Sequence, residues 1–204
     1  MRPVVICVDP GHGGDDHGTT AGGLIEKDLT LDIANNLVAS LIISGIKLVM
    51  TRNVDVDLGL DDRAHLAGSY GAHFAMCLHI NAHSRATYLR GMEAYYLPAD
   101  TVGTAIATTV SNRAPPQLIT GKLFSAEDKP SDPYDDWLQR PRNVLAPYWR
   151  RHIPSVLIEC CYASSQRDRE FLAGRFAIDA IVCALRAGVV HAAQLIDGQQ
   201  HKET

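Results

Sequence analysis

The strongest constraint on this chain is a rhythm, in which short apolar β-branched runs alternate with longer stretches of helical period. Residues 4–8, Val-Val-Ile-Cys-Val, form a continuous apolar run, the pattern of a strand buried on both faces. Over residues 27–44, Leu29, Ile33, Leu37 and Leu41 recur on one face with Ala34 and Val38 beside them, and Gly45 follows as a helix stop. Residues 46–51 predict the next strand, 61–69 a short helix, 74–80 and 92–97 further strands, and 101–113 another helix. Residues 156–160 predict one more strand, and Ile178, Ile181, Val182, Leu185 and Val189 mark a closing helix. Strands that alternate with helices predict an α/β fold: a single domain with a mostly parallel, twisted sheet and helices on both faces.

Two regions break the rhythm. Residues from about 114 to 152 hold Pro115, Pro116, Pro130, Pro133, Pro141 and Pro147, interspersed with Tyr134, Trp137, Tyr148 and Trp149. The segment is too long for a simple connection, so it reads as an irregular surface insertion with some short helix. Trp137 and Trp149 either flank a binding groove or cover an edge of the core. Residues 196–204 read as a polar, frayed tail.

Composition narrows the function. A length of 204 residues suits one domain with one core, and a net charge of −4 gives no electrostatic support for nucleic-acid binding. No stretch reads as the roughly 20 consecutive apolar residues of a membrane helix, so no membrane insertion is expected. The opening apolar run is too short for the core of a signal peptide; the chain is therefore expected either to be made without an export signal or to begin after one. Five cysteines (Cys7, Cys77, Cys160, Cys161, Cys183) lack zinc-finger spacing and lie in apolar runs. They read as buried free thiols rather than disulfides, and the vicinal Cys160-Cys161 pair is poorly shaped for a redox role. The sequence sets no oligomeric state.

In such a sheet, ligands gather beyond the carboxyl ends of the strands. His12 follows the first strand in Asp9-Pro10-Gly11-His12-Gly13-Gly14, Glu26 opens the first helix, His79 closes the strand Ala75-Met76-Cys77-Leu78-His79, and Glu159 lies in Pro154-Ser155-Val156-Leu157-Ile158-Glu159. Two histidines and a carboxylate with an open fourth position make a catalytic zinc set, and a further carboxylate nearby can serve as general base. Glu159 is otherwise difficult to place, because an unpaired carboxylate in an apolar strand is costly; a function or a salt bridge must account for it. Asp9 reads equally as a partner of a ligand histidine or as a turn former. Asn81 is a candidate substrate contact, His83 an exposed loop residue, and Arg52 and Arg63 read as ion pairs that pack loop to helix. The remaining histidines have no pattern.

These pieces, in this order, resemble the zinc-dependent N-acetylmuramoyl-L-alanine amidases of the cell wall (amidase type 3). The similarity runs through Asp9-Pro10-Gly11-His12-Gly13-Gly14, Glu26-Lys27, Thr51-Arg52, Leu60-Asp61-Asp62-Arg63-Ala64, Leu78-His79-Ile80-Asn81-Ala82, Gly91-Met92-Glu93 and the strand that ends at Glu159, covering most of residues 4–190. The resemblance implies a catalytic domain over residues 1–195 with one zinc ion on His12, Glu26 and His79 and with Glu159 as the catalytic glutamate. It implies hydrolysis of the amide between the lactyl group of N-acetylmuramic acid and the L-alanine of the stem peptide, with peptidoglycan as partner. Glu159 would take a proton from the attacking water and pass it to the departing nitrogen. The chain departs from the family after Glu159, where Cys160-Cys161-Tyr162-Ala163-Ser164-Ser165 stands in place of Gly-Phe and a Ser-Asn pair. The site of action implied is the wall, reached by an endolysin-like protein at lysis or by a mature exported domain. A zinc peptidase acting on stem or other peptides is one alternative. A catalytically silent wall-binding relative is another, and the retained Glu159 counts against it.

Overall fold

In the computed structural model, which describes residues 3–83, 89–118, 122–125 and 139–201, the first apolar run forms β1 (Val4–Pro10), buried along its whole length. It is followed by α1 (Glu26–Ser40), β2 (Ile46–Met50), α2 (Leu60–Ser69), β3 (Phe74–Asn81), β4 (Glu93–Tyr96) and α3 (Thr101–Asn112). The chain then forms β5 (Lys122–Ser125), α4 (Gln139–Trp149), β6 (Ser155–Tyr162), α5 (Gln166–Leu172) and α6 (Ala177–Gln200). The six strands make one sheet in the order β2-β1-β3-β6-β4-β5. Every pairing is parallel except β4 against β6. The α/β fold with a mostly parallel sheet expected from the alternation is the fold observed.

Helices cover both faces. On one, α1, α3 and α6 bury Ile33, Leu37, Ile106, Ile181, Leu185 and Val189 against Ile6, Met76 and Ile158. Each such fully buried aliphatic side chain contributes roughly 1.5–3 kcal/mol. On the other face, α2 and α4 bring Ala64, Ala67, Leu145 and Tyr148 onto Cys7, Cys77 and Leu157. The register aligns the carboxyl ends of the central strands, with Pro10 beside Leu78 and His79 beside Glu159. The candidate residues lie on that rim.

Several expectations need correction. The first helix stops at Ser40, because Leu41 leaves helical geometry (φ −124°, ψ 81°) and tucks into the core, leaving Ile42 almost fully exposed. The stretch over 114–152 is not mere surface decoration. Its described parts include strand β5 and helix α4, and Val144, Leu145 and Tyr148 of α4 complete the second core. Tyr134 and Trp137 lie outside the described residues, and Trp149 stands exposed at the end of α4. Helix α5 was not anticipated; Ser165 caps it by accepting from the Asp168 N–H.

The polar tail is helical through Gln200, since residues 196–200 hold no proline to stop α6. Residues Ala177–Gln199 also have the length and composition of a membrane span, contrary to the sequence expectation, but 44% of that window is buried within the fold. Here α6 is a core helix packed on α1 and α3. Cys7, Cys77, Cys160 and Cys161 are buried free thiols as read, whereas Cys183 is exposed. Burial pushes the thiol pKa of each of those four upward, which leaves them unsuited to nucleophilic work.

Candidate active site

The turn after β1 is assembled by main-chain geometry that only certain residues permit. His12 adopts a left-handed conformation (φ 61°), which costs a non-glycine residue on the order of 1–2 kcal/mol. Arginine side chains hold it there. Arg52 Nε and Arg63 Nη1 donate to the Pro10 carbonyl at 3.0 and 2.7 Å, Arg52 Nη2 donates to Gly11 O at 2.9 Å, and Arg63 Nη2 donates to His12 O at 2.7 Å. Arg52 is therefore a carbonyl clamp rather than one half of the expected ion pair. Arg63 does form such a pair, with Asp9 at 2.8 Å. Asp9 is neither a turn former nor a histidine partner: it is buried beneath the site, and accepts from Thr51 Oγ1, Arg63 Nη1 and Tyr148 Oη. Burial pushes the Asp9 pKa up, but the Arg63 charge and these bonds outweigh it and hold the carboxyl below its usual range.

Two glycines make room for the rings. A Cβ on Gly11 would run into the His79 imidazole, and one on Gly18 (φ 63°) would strike the Glu26 carboxylate and the His12 ring. Glu26, the first residue of α1, is buried, and its two oxygens are fixed by main-chain donors: Ile80 N–H to Oε1 at 2.9 Å and Thr19 N–H to Oε2 at 2.8 Å.

Onto Oε1 converge His12 Nε2 and His79 Nδ1, each at 3.1 Å, with the rings at 78° to one another. His12 Nδ1 lies 2.7 Å from Asp16 Oδ2. An ionised carboxylate only accepts, so Nδ1 carries the hydrogen, and in the neutral ring Nε2 turns its lone pair toward Glu26. A lone pair facing a carboxylate oxygen is stable only with a cation between them, either a proton or a metal. Burial lowers the His12 pKa, but the bonds and charges of Glu26 and Asp16 outweigh it, and the group lies above its ordinary value. Burial likewise raises Glu26, and the two imidazoles more than reverse it, so its pKa is well below the usual carboxylate range.

The ligand atoms of His12, Glu26 and His79 all lie within 4.8 Å of one another. The 3.1 Å nitrogen–oxygen separations are close to the ~3.3 Å edge of a tetrahedron with bonds of about 2.0–2.1 Å, so the donor set fits a zinc ion in both chemistry and spacing.

Glu159 lies on β6, half-buried, as the register partner of His79 on one side and of Glu93 on the other. Adjacent strands lie about 4.8 Å apart, so the backbones of Glu159 and His79 are one strand spacing apart. Asn81, two residues beyond His79, donates its amide to Glu93 at 3.2 Å. The main-chain N–H of His83 donates to Ser164 Oγ. Sequence reasoning overlooked Glu93 as more than a motif letter. The signal was present, because a carboxylate opening the apolar strand Glu-Ala-Tyr-Tyr poses the same burial problem as Glu159.

A mostly parallel sheet with two imidazoles and several carboxylates gathered at its rim makes an α/β domain with a candidate metal centre. The family profile for N-acetylmuramoyl-L-alanine amidase (Amidase_3) matches residues 6–191, and the chain belongs to that family. It is 40% identical over 97 residues to the sporulation-specific N-acetylmuramoyl-L-alanine amidase of Bacillus subtilis (strain 168), an alignment taking in 47% of this chain and 36% of that protein. It is 39% identical over 80 residues to the endolysin of Bacillus phage SPP1, covering 38% of this chain and 29% of the relative. These matches thus span only about a third of each curated relative. Among solved structures, the N-acetylmuramoyl-L-alanine amidase AmiC2 of Nostoc punctiforme superposes with a TM-score of 0.76 at 26% identity, over 94% of this chain and 97% of that one.

Proposed function

We propose that this chain is a zinc-dependent N-acetylmuramoyl-L-alanine amidase, with His12, Glu26 and His79 as the metal ligands and Glu159 as the catalytic acid and base. The observation that carries the reading is the convergence of His12 Nε2 and His79 Nδ1 on one oxygen of Glu26, with Glu159 in register beside His79. Zinc, when bound, supplies a Lewis acid that polarises the scissile carbonyl and acidifies a water. Asp16 holds the His12 tautomer that points Nε2 into the site. Ile80 and Thr19 hold Glu26 through their main-chain N–H groups, so that carboxylate is fixed before any ligand arrives. Glu159 takes a proton from the attacking water and returns it to the alanine nitrogen, which departs as an amine. An amide nitrogen is a poor leaving group, so that second transfer matters as much as the first.

The substrate is peptidoglycan, cut between the lactyl group and L-alanine, and the place of action is the wall, whether the protein arrives by export or at lysis. Purified protein is to be incubated with cell walls, stripped with chelator and then resupplied with zinc, and the soluble products read by mass spectrometry. Release of intact stem peptides with a free L-alanine amine, lost on chelation and restored by zinc, is expected. Cleavage inside the peptides would move the substrate assignment, and wall binding without product would end the catalytic reading. Glu159→Gln should keep one zinc per chain and lose roughly 10²- to 10⁴-fold in turnover.

A further inference from the structure

We propose that Asn81 presents its side-chain carbonyl to a peptide N–H of the stem peptide, and that Glu93 is the positioning residue that fixes the amide in that orientation. The proposal rests on the amidase reading and deepens it. Glu93, 2% exposed, opens β4. Its Oε2 accepts from Asn81 Nδ2 at 3.2 Å and from Tyr95 Oη at 2.8 Å, and its charge also acts on the Tyr162 hydroxyl. Burial and then the Glu93 charge raise the pKa of both tyrosines, so their hydroxyls stay protonated and act as donors.

Glu93 is thus a buried carboxylate fed by neutral donors, and the Asn81 amide can meet it only through nitrogen. Turning the amide over would lose a hydrogen bond and set Oδ1 against a carboxylate oxygen. With Nδ2 committed, Oδ1 is the acceptor Asn81 has left to offer, and no described residue donates to it.

Position points that acceptor toward the substrate. Asn81 and His79 are both partly exposed while Ile80 between them is buried, so the two side chains share a face of β3. Asn81 therefore sits about 6–7 Å of strand beyond His79 toward the open rim. The ladder between β3 and β6 slips here: His79 pairs with Glu159 and Asn81 with Tyr162, giving β6 one extra residue. That bulge falls at Cys160-Cys161, and it sets Tyr162 beside Asn81. Along its main chain, the substrate offers this acceptor two donors. The lactyl side of the cleaved amide carries no main-chain N–H, whereas the stem peptide carries one at the scissile nitrogen and one at the next residue.

The test uses zinc-loaded full chain and three soluble muramoyl-peptides: the all-amide compound and two depsipeptides, in which oxygen replaces either the scissile nitrogen or the next peptide nitrogen. Asn81→Ala is expected to keep its zinc and melting temperature while losing roughly 10- to 100-fold in kcat/KM on the all-amide substrate. That penalty should vanish on one of the two depsipeptides. Asn81→Asp keeps an acceptor but faces Glu93 with a second carboxylate, so it should lose activity too. Glu93→Gln should lose part of the same factor and add nothing on top of Asn81→Ala. An Asn81→Ala penalty equal on all three substrates would overturn the acceptor. Multiplying penalties in the double variant, or an Asn81→Asp protein of wild-type activity, would overturn the positioning role. If Glu93→Gln fails to fold, the two Asn81 variants still decide. Wild-type protein that cleaves none of the three would instead overturn the amidase reading itself.

Discussion

Two buried carboxylates stand on either side of the same turn, and they meet opposite kinds of partner. Asp9, at the foot of the turn, is surrounded by groups that can only donate or are held as donors: the Arg63 guanidinium and the Thr51 and Tyr148 hydroxyls. Glu26, across the turn, faces the ring nitrogens of His12 and His79, which donate only when protonated there. Both carboxyls are held below their usual pKa, yet for different ends. The first network is complete in protein alone and stabilises the fold. The second becomes complete only when a cation enters. The difference teaches that a depressed carboxylate pKa does not mark a functional site; the chemistry of its partners does.

Exchanging the injuries tests the contrast where the effects are largest. Glu26→Gln should weaken zinc binding by more than about 100-fold, beyond what loss of an outer hydrogen-bond partner causes. Its metal-free stability should fall by about 1–3 kcal/mol, because the single Gln oxygen can accept from only one of Ile80 and Thr19 and the amide nitrogen is set against the other N–H. Arg63→Met should cost more, about 3–5 kcal/mol, by leaving Asp9 charged and buried without its counter-ion. Zinc competition titrations and urea melts of chelator-treated protein read both. A Glu26→Gln protein that loses as much stability without metal as Arg63→Met would erase the distinction.

The same contrast explains what was legible in the sequence. His12, His79 and Glu159 stand at strand ends or within apolar strands, where a polar residue is conspicuous, Glu26 opens the first helix, and the ordered motifs tie the four together. The supporting network was not legible. Asp9 and Tyr148 are separated by 139 positions, and nothing local in a proline-rich stretch announces that α4 will fold back beneath the site. Arg52 and Arg63 were visible as motif letters and an ion pair was expected of them, but apart from Asp9 beside Arg63 their main partners are carbonyl oxygens, which carry no sequence signature. Glu93 escaped because a charged residue at the first position of a short strand reads as a boundary. The α/β class was readable from periodicity; the seven-residue α5, too short to show a period, was not.

The pH dependence of stability separates the networks next, with smaller effects. Both carboxylate pKa values are lowered on folding, so their contributions are present above about pH 4, the unfolded value, and are lost as pH falls through the folded values. The His12 value is raised, so its contribution is complete below the unfolded value of about 6.5 and is lost as pH rises through the folded one. Metal-free protein should therefore be most stable at about pH 5–6 and decline above it. Zinc binding needs both rings deprotonated, so the stabilisation by added zinc should grow over the same rise in pH. Melting temperatures with chelator and with zinc, followed across that range, should diverge as pH rises. Parallel curves would mean that His12 and Glu26 are not the groups a cation bridges.

The smallest effect is the sharpest test of independence. Tyr148→Phe removes one donor from Asp9 and leaves Arg63 and Thr51 in place. A hydrogen bond to a charged group is worth about 1.5–3 kcal/mol, and with two partners remaining the loss should fall near 1.5 kcal/mol. The ring still fills its place among Leu145, Cys7 and Cys77, so no cavity adds to that figure. Tyr148 donates to the Asp9 oxygen turned away from Thr51 and Arg63, whereas the carbonyls around His12 are held by Arg52 and Arg63. Zinc affinity should therefore be unchanged while the urea midpoint falls. If affinity falls in step with stability, the turn transmits the state of Asp9 to His12, and the two carboxylates belong to one network rather than two.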